Sequence, residues 1–172
     1  MLLLEKGCDI LSEGSWTVIG TVAENGYEGV VRLLLERDAH IESRDGSSRT
    51  LLGCAAMGGH EHVVVLSLEK GSDIESRDCD GQTPLRCAVI NGHEGVVRML
   101  LGKGADFECK SNVGVTPLMS AARWGYADIV QLPLEKGADP GCKYWDGSTL
   151  LELASRHGHR DMVNLLLEKG GC

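Results

Sequence analysis

Threonine returns every 33 residues along this chain, at Thr17, Thr50, Thr83, Thr116 and Thr149. Glycine keeps the same step at Gly26, Gly59, Gly92, Gly125 and Gly158. Two in-phase series over 172 residues imply one small supersecondary unit stacked on copies of itself. In such a stack each unit touches only its neighbours, and the product is an extended surface. That surface suits recognition better than a scaffold around one catalytic pocket.

The residues around these marks say what the unit is. A Thr-Pro pair starts a helix, because proline at the first helical position gives up only a donor that was already unpaired. Pairs such as Ala55-Ala56 and Ala121-Ala122 let that helix approach its neighbours closely. Gly92 and its counterparts interrupt the chain between two antiparallel helices. The second helix carries an aliphatic stripe, Val96, Val97, Leu100 and Leu101 in repeat three. Gly71, Gly104, Gly137 and Gly170 sit where a left-handed residue ends a helix. A lysine precedes each, at the negative end of the helix dipole.

Repeat three reads Asp78-Cys79-Asp80-Gly81-Gln82-Thr83-Pro84-Leu85-Arg86-Cys87-Ala88, then Asn91-Gly92-His93, then the aliphatic stripe and Gly104-Ala105-Asp106. Repeats four and five keep much of the same order, as in Thr116-Pro117-Leu118 and Gly158-His159. This pattern resembles the ankyrin repeat, and the glutamate-rich joins, such as Asp73-Ile74-Glu75-Ser76-Arg77-Asp78, are similar to those of long fungal-type arrays. The resemblance implies an all-α solenoid of helix-turn-helix repeats joined by β-hairpin loops. Its units would be an N-terminal half repeat over 1–11, a divergent first repeat over 12–44, then repeats over 45–77, 78–110, 111–143 and 144–172. It also implies a concave face, built from hairpin tips and first helices, that binds a protein partner.

Composition narrows the partners. Aromatic residues are 4% of the chain, so the core must be Leu, Val and Ala. The net charge of −8 sets up a field that repels nucleic acid and anionic membranes. No window reaches the apolar length of a membrane span. Met1-Leu2-Leu3-Leu4 is too short for a secretory signal, and residues 2–7 match the end of repeat five at 165–170. The seven cysteines have no zinc-ligand spacing. Cys54 and Cys87 share a core position, and Cys109 and Cys142 share a hairpin position. Neighbouring repeats stack about 10 Å apart, too far for a disulfide. Free thiols in the cytoplasm or nucleus are expected, with no cofactor and no metal.

The chain also departs from its own pattern. Pro133 falls inside the second helix of repeat four, which predicts a local bend or a shortened helix. Asp38 replaces a helix-ending glycine, and the first hairpin is two residues short. Both ends are apolar without a polar cap, so the array is either a segment of a longer one or able to pack on itself, a partner or a second copy.

Two features mark the candidate partner-binding face. Trp16, Trp124 and Trp145 all fall at variable, surface-directed positions, and Tyr144 stands beside Trp145 where the pattern has Asp. Trp and Tyr dominate binding hot spots. Arg44, Arg77, Lys110 and Lys143 form a ladder at the hairpin bases, and Arg49, Arg86, Arg123 and Arg156 lie on the same side, against Asp80, Asp146 and Glu152. A locally basic groove on an acidic molecule favours an acidic peptide or protein surface. The opposing reading is internal neutralisation by Glu42, Glu75 and Glu108.

The Gly-His histidines, His60, His93 and His159, read as structural braces. His157 differs: with Glu152, Arg123, Arg156, Trp124, Tyr144 and Trp145 it could line one hollow, and a His with a Glu is a minimal acid–base pair. No nucleophile motif or phosphate loop accompanies it. The expectation is therefore a non-enzymatic recognition module, against a small-molecule or acid–base site at His157 and Glu152.

Overall fold

A computed structural model describes residues 15–37 and 39–170, with side chains from Val18 onward. The N-terminal half repeat, Asp38, the short first hairpin and the Trp16 side chain lie outside the described residues. The described residues form ten helices: α1 (Ser15–Glu24), α2 (Glu28–Glu36), α3 (Leu51–Gly58), α4 (Glu61–Glu69), α5 (Pro84–Ile90), α6 (Glu94–Gly102), α7 (Pro117–Trp124), α8 (Ala127–Glu135), α9 (Leu150–Arg156) and α10 (Arg160–Glu168). They pack in two rows. The odd-numbered helices stack in one row, the even-numbered in the other, and each odd helix packs on the even one that follows it. This is the all-α solenoid expected from the period.

Local chemistry explains why the unit repeats. The hydroxyls of Thr50, Thr83, Thr116 and Thr149 cap their helices by accepting from the amides of Gly53, Arg86, Met119 and Glu152 at 3.2–3.4 Å. A cap of this type is worth about 1 kcal/mol. In the last repeat Glu152 closes the capping box by accepting from the Thr149 amide at 2.9 Å. The alanine column Ala55, Ala88, Ala121 and Ala154 is fully buried and sets the close spacing of the odd row. Val31, Val64, Val97 and Val130 form the matching buried column in the even row.

The histidine braces are real and reach one repeat back. Nε2 of His60 bonds the Glu24 carbonyl at 2.8 Å, that of His93 the Met57 carbonyl at 2.9 Å, and that of His159 the Arg123 carbonyl at 3.0 Å. Room for each ring depends on a glycine. A Cβ on Gly59, whose φ is +78°, would lie 2.5 Å from the His93 ring.

Two expectations are refined. The hairpin loops between repeats are minimal, tight turns with isolated antiparallel bridges among the described residues, Arg44 with Thr50 and Lys143 with Thr149. Each turn is closed by a backbone bond of the type Asp45 N–H to the Arg49 carbonyl, 2.9 Å. Pro133 does not shorten its helix: α8 spans nine residues, as do α4, α6 and α10. Buried packing holds Pro133 in place, against an apolar cleft that it lines together with Phe107, Leu101 and Ile129.

Candidate recognition face

The turns set out the geometry of the face. Asp45 Oδ1 accepts from the amides of Ser47 and Arg49, both at 2.9 Å, and Asp78 does the same for Asp80 and Gln82 at 2.9 and 2.8 Å. Ser111 takes this role in repeat four, through the Val115 amide at 3.3 Å. In repeat five the position is Tyr144. The turn keeps its register, with the Tyr144 amide donating to the Ser148 carbonyl at 2.8 Å, but the side chain goes inward. Tyr144 is only 8% exposed and belongs to the core. It is therefore not the exposed anchor that its neighbour Trp145 suggested; an aromatic ring lacks the acceptor that keeps Asp in the turn, and burial is its alternative.

The basic ladder divides. The Arg44 guanidinium donates to the Ser48 carbonyl at 2.7 Å and to the Arg77 carbonyl, one repeat on, at 2.6 Å. Arg77 repeats this with Gly81 at 3.2 Å and Lys110 at 2.8 Å. These two arginines stitch neighbouring repeats together. Their answering groups are main-chain carbonyls and, for Arg77 Nη2, the Cys109 Sγ at 2.7 Å, not the glutamates expected to neutralise them. Glu42 and Glu75 form a second stitch, accepting from the amides of Asp73 and Asp106 at 2.9 and 2.8 Å. Lys110 and Lys143 are exposed and project from the turns without such bonds among the described residues.

The four remaining arginines differ in their partners. Arg49 is neutralised by Asp45 at 2.6 Å and Glu24 at 3.5 Å. Arg156 pairs with Asp146 at 3.6 Å. Arg86 and Arg123 make no ion pair among the described residues. Burial pulls the Arg86 guanidinium below its ordinary value, although Asp78 and Asp80 lie near enough to oppose the effect. Its Nε is buried without a hydrogen-bond partner. Arg123 Nη1 lies 3.4 Å from the Tyr144 hydroxyl. Asp80 is exposed and accepts from the Gln82 amide side chain at 3.3 Å.

Trp124 closes α7 and is 52% exposed; Trp145 stands on the turn of repeat five and is 74% exposed. Trp124 follows Arg123, whose guanidinium reaches the Tyr144 hydroxyl of the next repeat, and the Trp145 ring lies 5.9 Å from that of Tyr144. Val113, on the adjacent turn, is 67% exposed and was not foreseen. The signal for it was in the sequence: it occupies the column of Ser47, Asp80 and Asp146, which is otherwise polar. An open groove of about 500 Å³ runs alongside repeats two and three, bordered by Arg49, Met57, Asp80, Arg86, Ile90 and Asn91. Met57, Ile90 and Asn91 were also missed, since alone each reads as packing.

The acid–base pair is not assembled as a working couple. The Glu152 carboxylate is held by the helix cap, and His157 Nδ1 bonds the Leu153 carbonyl at 2.9 Å. Both side chains are exposed, and the His157 ring stacks on His159 at 6.0 Å. Among the described residues no cluster of His, Cys, Asp and Glu could hold a metal ion, and no helix is long and apolar enough to cross a membrane.

A family model described as ankyrin repeats (3 copies) matches residues 21–111, 52–144 and 103–172. The chain belongs to the ankyrin-repeat family. No curated protein matches it. Ankyrin repeats are generally protein–protein interaction modules and typically non-enzymatic. In this ankyrin array Trp124 and Trp145 are exposed in repeats four and five, as Tyr27 is in repeat one, and Arg86 and Arg123 in repeats three and four make no ion pair among the described residues.

Proposed function

We propose that this array recognises a protein partner on the concave face expected of its family, along the turns and odd-numbered helices of repeats three to five. The observation that carries the reading is the pair of exposed tryptophans, Trp124 and Trp145, each next in sequence to one member of the Arg123–Tyr144 contact. Exposed indoles are expensive to leave in water and are favoured anchors of interfaces. Val113 extends the apolar area, while Lys110, Lys143, Arg86, Arg123 and Arg156 supply a cationic rim. Arg77 is assigned to holding the stack. The five described cysteines are free, which fits a partner met in the cytoplasm or nucleus.

The test is retention of proteins from native lysate by wild type and by the Trp124→Ala/Trp145→Ala variant, with circular dichroism confirming that both are folded. Partners should be retained by the wild type and lost by the variant. Equal retention by both sinks the reading.

A further inference from the structure

Among the described residues two arginines are half-buried, Arg49 and Arg86, and both border the open groove alongside repeats two and three. Arg49 is satisfied: Asp45 lies at 2.6 Å, Glu24 at 3.5 Å, and the Met57 Sδ accepts from its Nη1 at 3.2 Å. The Arg86 guanidinium makes no hydrogen bond or ion pair among the described residues, and its Nε is buried. Arg86 stands in the first turn of α5, the positive end of that helix, so the helix dipole does not answer its charge either. A half-buried charge with unmet donors costs stability, so the stack gains nothing from it.

The rest of the groove is equally particular to these repeats. Met57 and Ile90 share one column, which carries Glu24, Arg123 and Arg156 in the other repeats. Only here is that column apolar, and both side chains stay half-buried along the groove. Asp80 borders the same groove, exposed, with the Gln82 side-chain amide at 3.3 Å and no arginine within ion-pair distance among the described residues. The groove thus offers a guanidinium in need of an acceptor and a carboxylate able to accept, beside an apolar strip. An anion entering it would meet Asp80, and a cation would meet Arg86. A polypeptide main chain meets neither obstacle, because it brings carbonyl acceptors and amide donors without net charge. Arginines of this fold are already answered in that way: Arg44 and Arg77 donate to main-chain carbonyls of the following repeat at 2.6 and 2.8 Å.

We propose that the groove between repeats two and three holds an extended, uncharged stretch of the protein partner, with a main-chain carbonyl accepting from Arg86, a main-chain amide donating to Asp80 and an aliphatic side chain resting on Met57 and Ile90. This rests on the recognition reading above, carries the face back to repeat two, and names what is recognised there. Main-chain hydrogen bonds hold such a segment in place, and the apolar strip selects its side chain. The groove, about 500 Å³, lies within the usual range of binding clefts.

A library of random twelve-residue peptides, N-acetylated and C-terminally amidated, tests it on the full chain, with binders sorted by two variants. Arg86→Met keeps the aliphatic stem and removes the donors. Ile90→Arg puts into the groove the residue that its column carries at Arg123 and Arg156. One set of binders, each with an aliphatic residue, should be weakened about tenfold or more by either variant and unaffected by Trp124→Ala/Trp145→Ala. Within that set, N-methylation of one main-chain amide should weaken binding about tenfold, whereas changing an Asp or Glu to its amide should change it by less than about twofold. Arg86→Met should melt at the wild-type temperature or above it, because an unmet donor has been removed. A lower melting temperature would assign Arg86 to the stack and overturn the proposal. Groove-sensitive binders that lose affinity with their acid, and not with any N-methyl group, overturn the main-chain contact. Binders sensitive to the tryptophans but indifferent to both groove variants overturn the groove site and uphold the recognition reading. Groove-sensitive binders without any tryptophan-sensitive ones uphold the groove and overturn the tryptophan anchors. A library with no peptide sensitive to either overturns both.

Discussion

Nη1 of Arg77 donates to the main-chain carbonyl of Lys110 at 2.8 Å, thirty-three residues along the chain, and Arg44 stands in the same relation to Arg77 at 2.6 Å. A charged donor to a neutral acceptor contributes about 1.5–3 kcal/mol before exposure reduces it. Arg77→Ala should therefore lower stability by about 1–2 kcal/mol in urea unfolding. Lys110→Ala, at the next rung, should change it by less than about 0.5 kcal/mol. Equal effects would mean that the stitch contributes nothing.

Gly59 and Gly71 both have positive φ, +78° and +87°, but only Gly59 is crowded. Gly71→Ala should cost about 1 kcal/mol, the backbone term alone. Gly59→Ala must also displace the His93 ring and its bond to Met57, so about 2 kcal/mol more is expected. Thermal melts of the two variants should differ accordingly, and His93→Ala should remove most of the difference.

Pro133 cannot donate to the Ile129 carbonyl, the bond that a helical residue here would make. Pro133→Leu restores the residue found at Leu34, Leu100 and Leu166. The apolar cleft at this point has only about 10 Å³ of free space, so the extra methyl group must be taken up by small shifts. A net gain of about 1–2 kcal/mol is expected from chemical denaturation. A loss would show that the repeat has repacked around the ring.

Burial pushes the thiols of Cys54 and Cys87 from an ordinary 9.0 up to about 12. The sign follows from linkage: with the folded value raised, the unfolded chain releases its protons first as pH rises. Stability from these groups is fully present below pH 9 and should fall between pH 9 and 12. Urea midpoints across that range should decline, and Cys54→Ala should flatten part of the decline. At pH 8 a thiol reagent should label exposed Cys79 well before the buried Cys54 and Cys87, which should react only on unfolding.

The stack was legible because it is written in repetition: Thr, the alanine column, Gly and His return in phase, and each return has one structural task. The face was legible in part. Trp124 and Trp145 stood out as large residues in variable columns, and they are exposed. Tyr144 deceived because a column position fixes where the backbone goes, not which way a side chain without the usual acceptor will turn. Arg44 and Arg77 deceived for a related reason. Their acceptors are carbonyls of the next repeat, and main-chain atoms carry no letter in the sequence. The inward turn of Tyr144 and the lack of an ion pair at Arg86 and Arg123 among the described residues needed three-dimensional neighbours to become visible.

The stitches made by Glu42, Glu75 and Arg44 end on an amide or carbonyl of the following unit, and Arg77 adds the Cys109 Sγ to its carbonyl. Those main-chain atoms are supplied by any amino acid other than proline, so a donor unit places almost no demand on the composition of its successor. A gene segment encoding one such unit can be copied, moved or dropped, and the joint reforms without a matching change next door. The interior of the array is in this sense interchangeable. The combination of Arg123, Trp124, Tyr144 and Trp145 is not, because it straddles a junction and is lost whenever either side is exchanged.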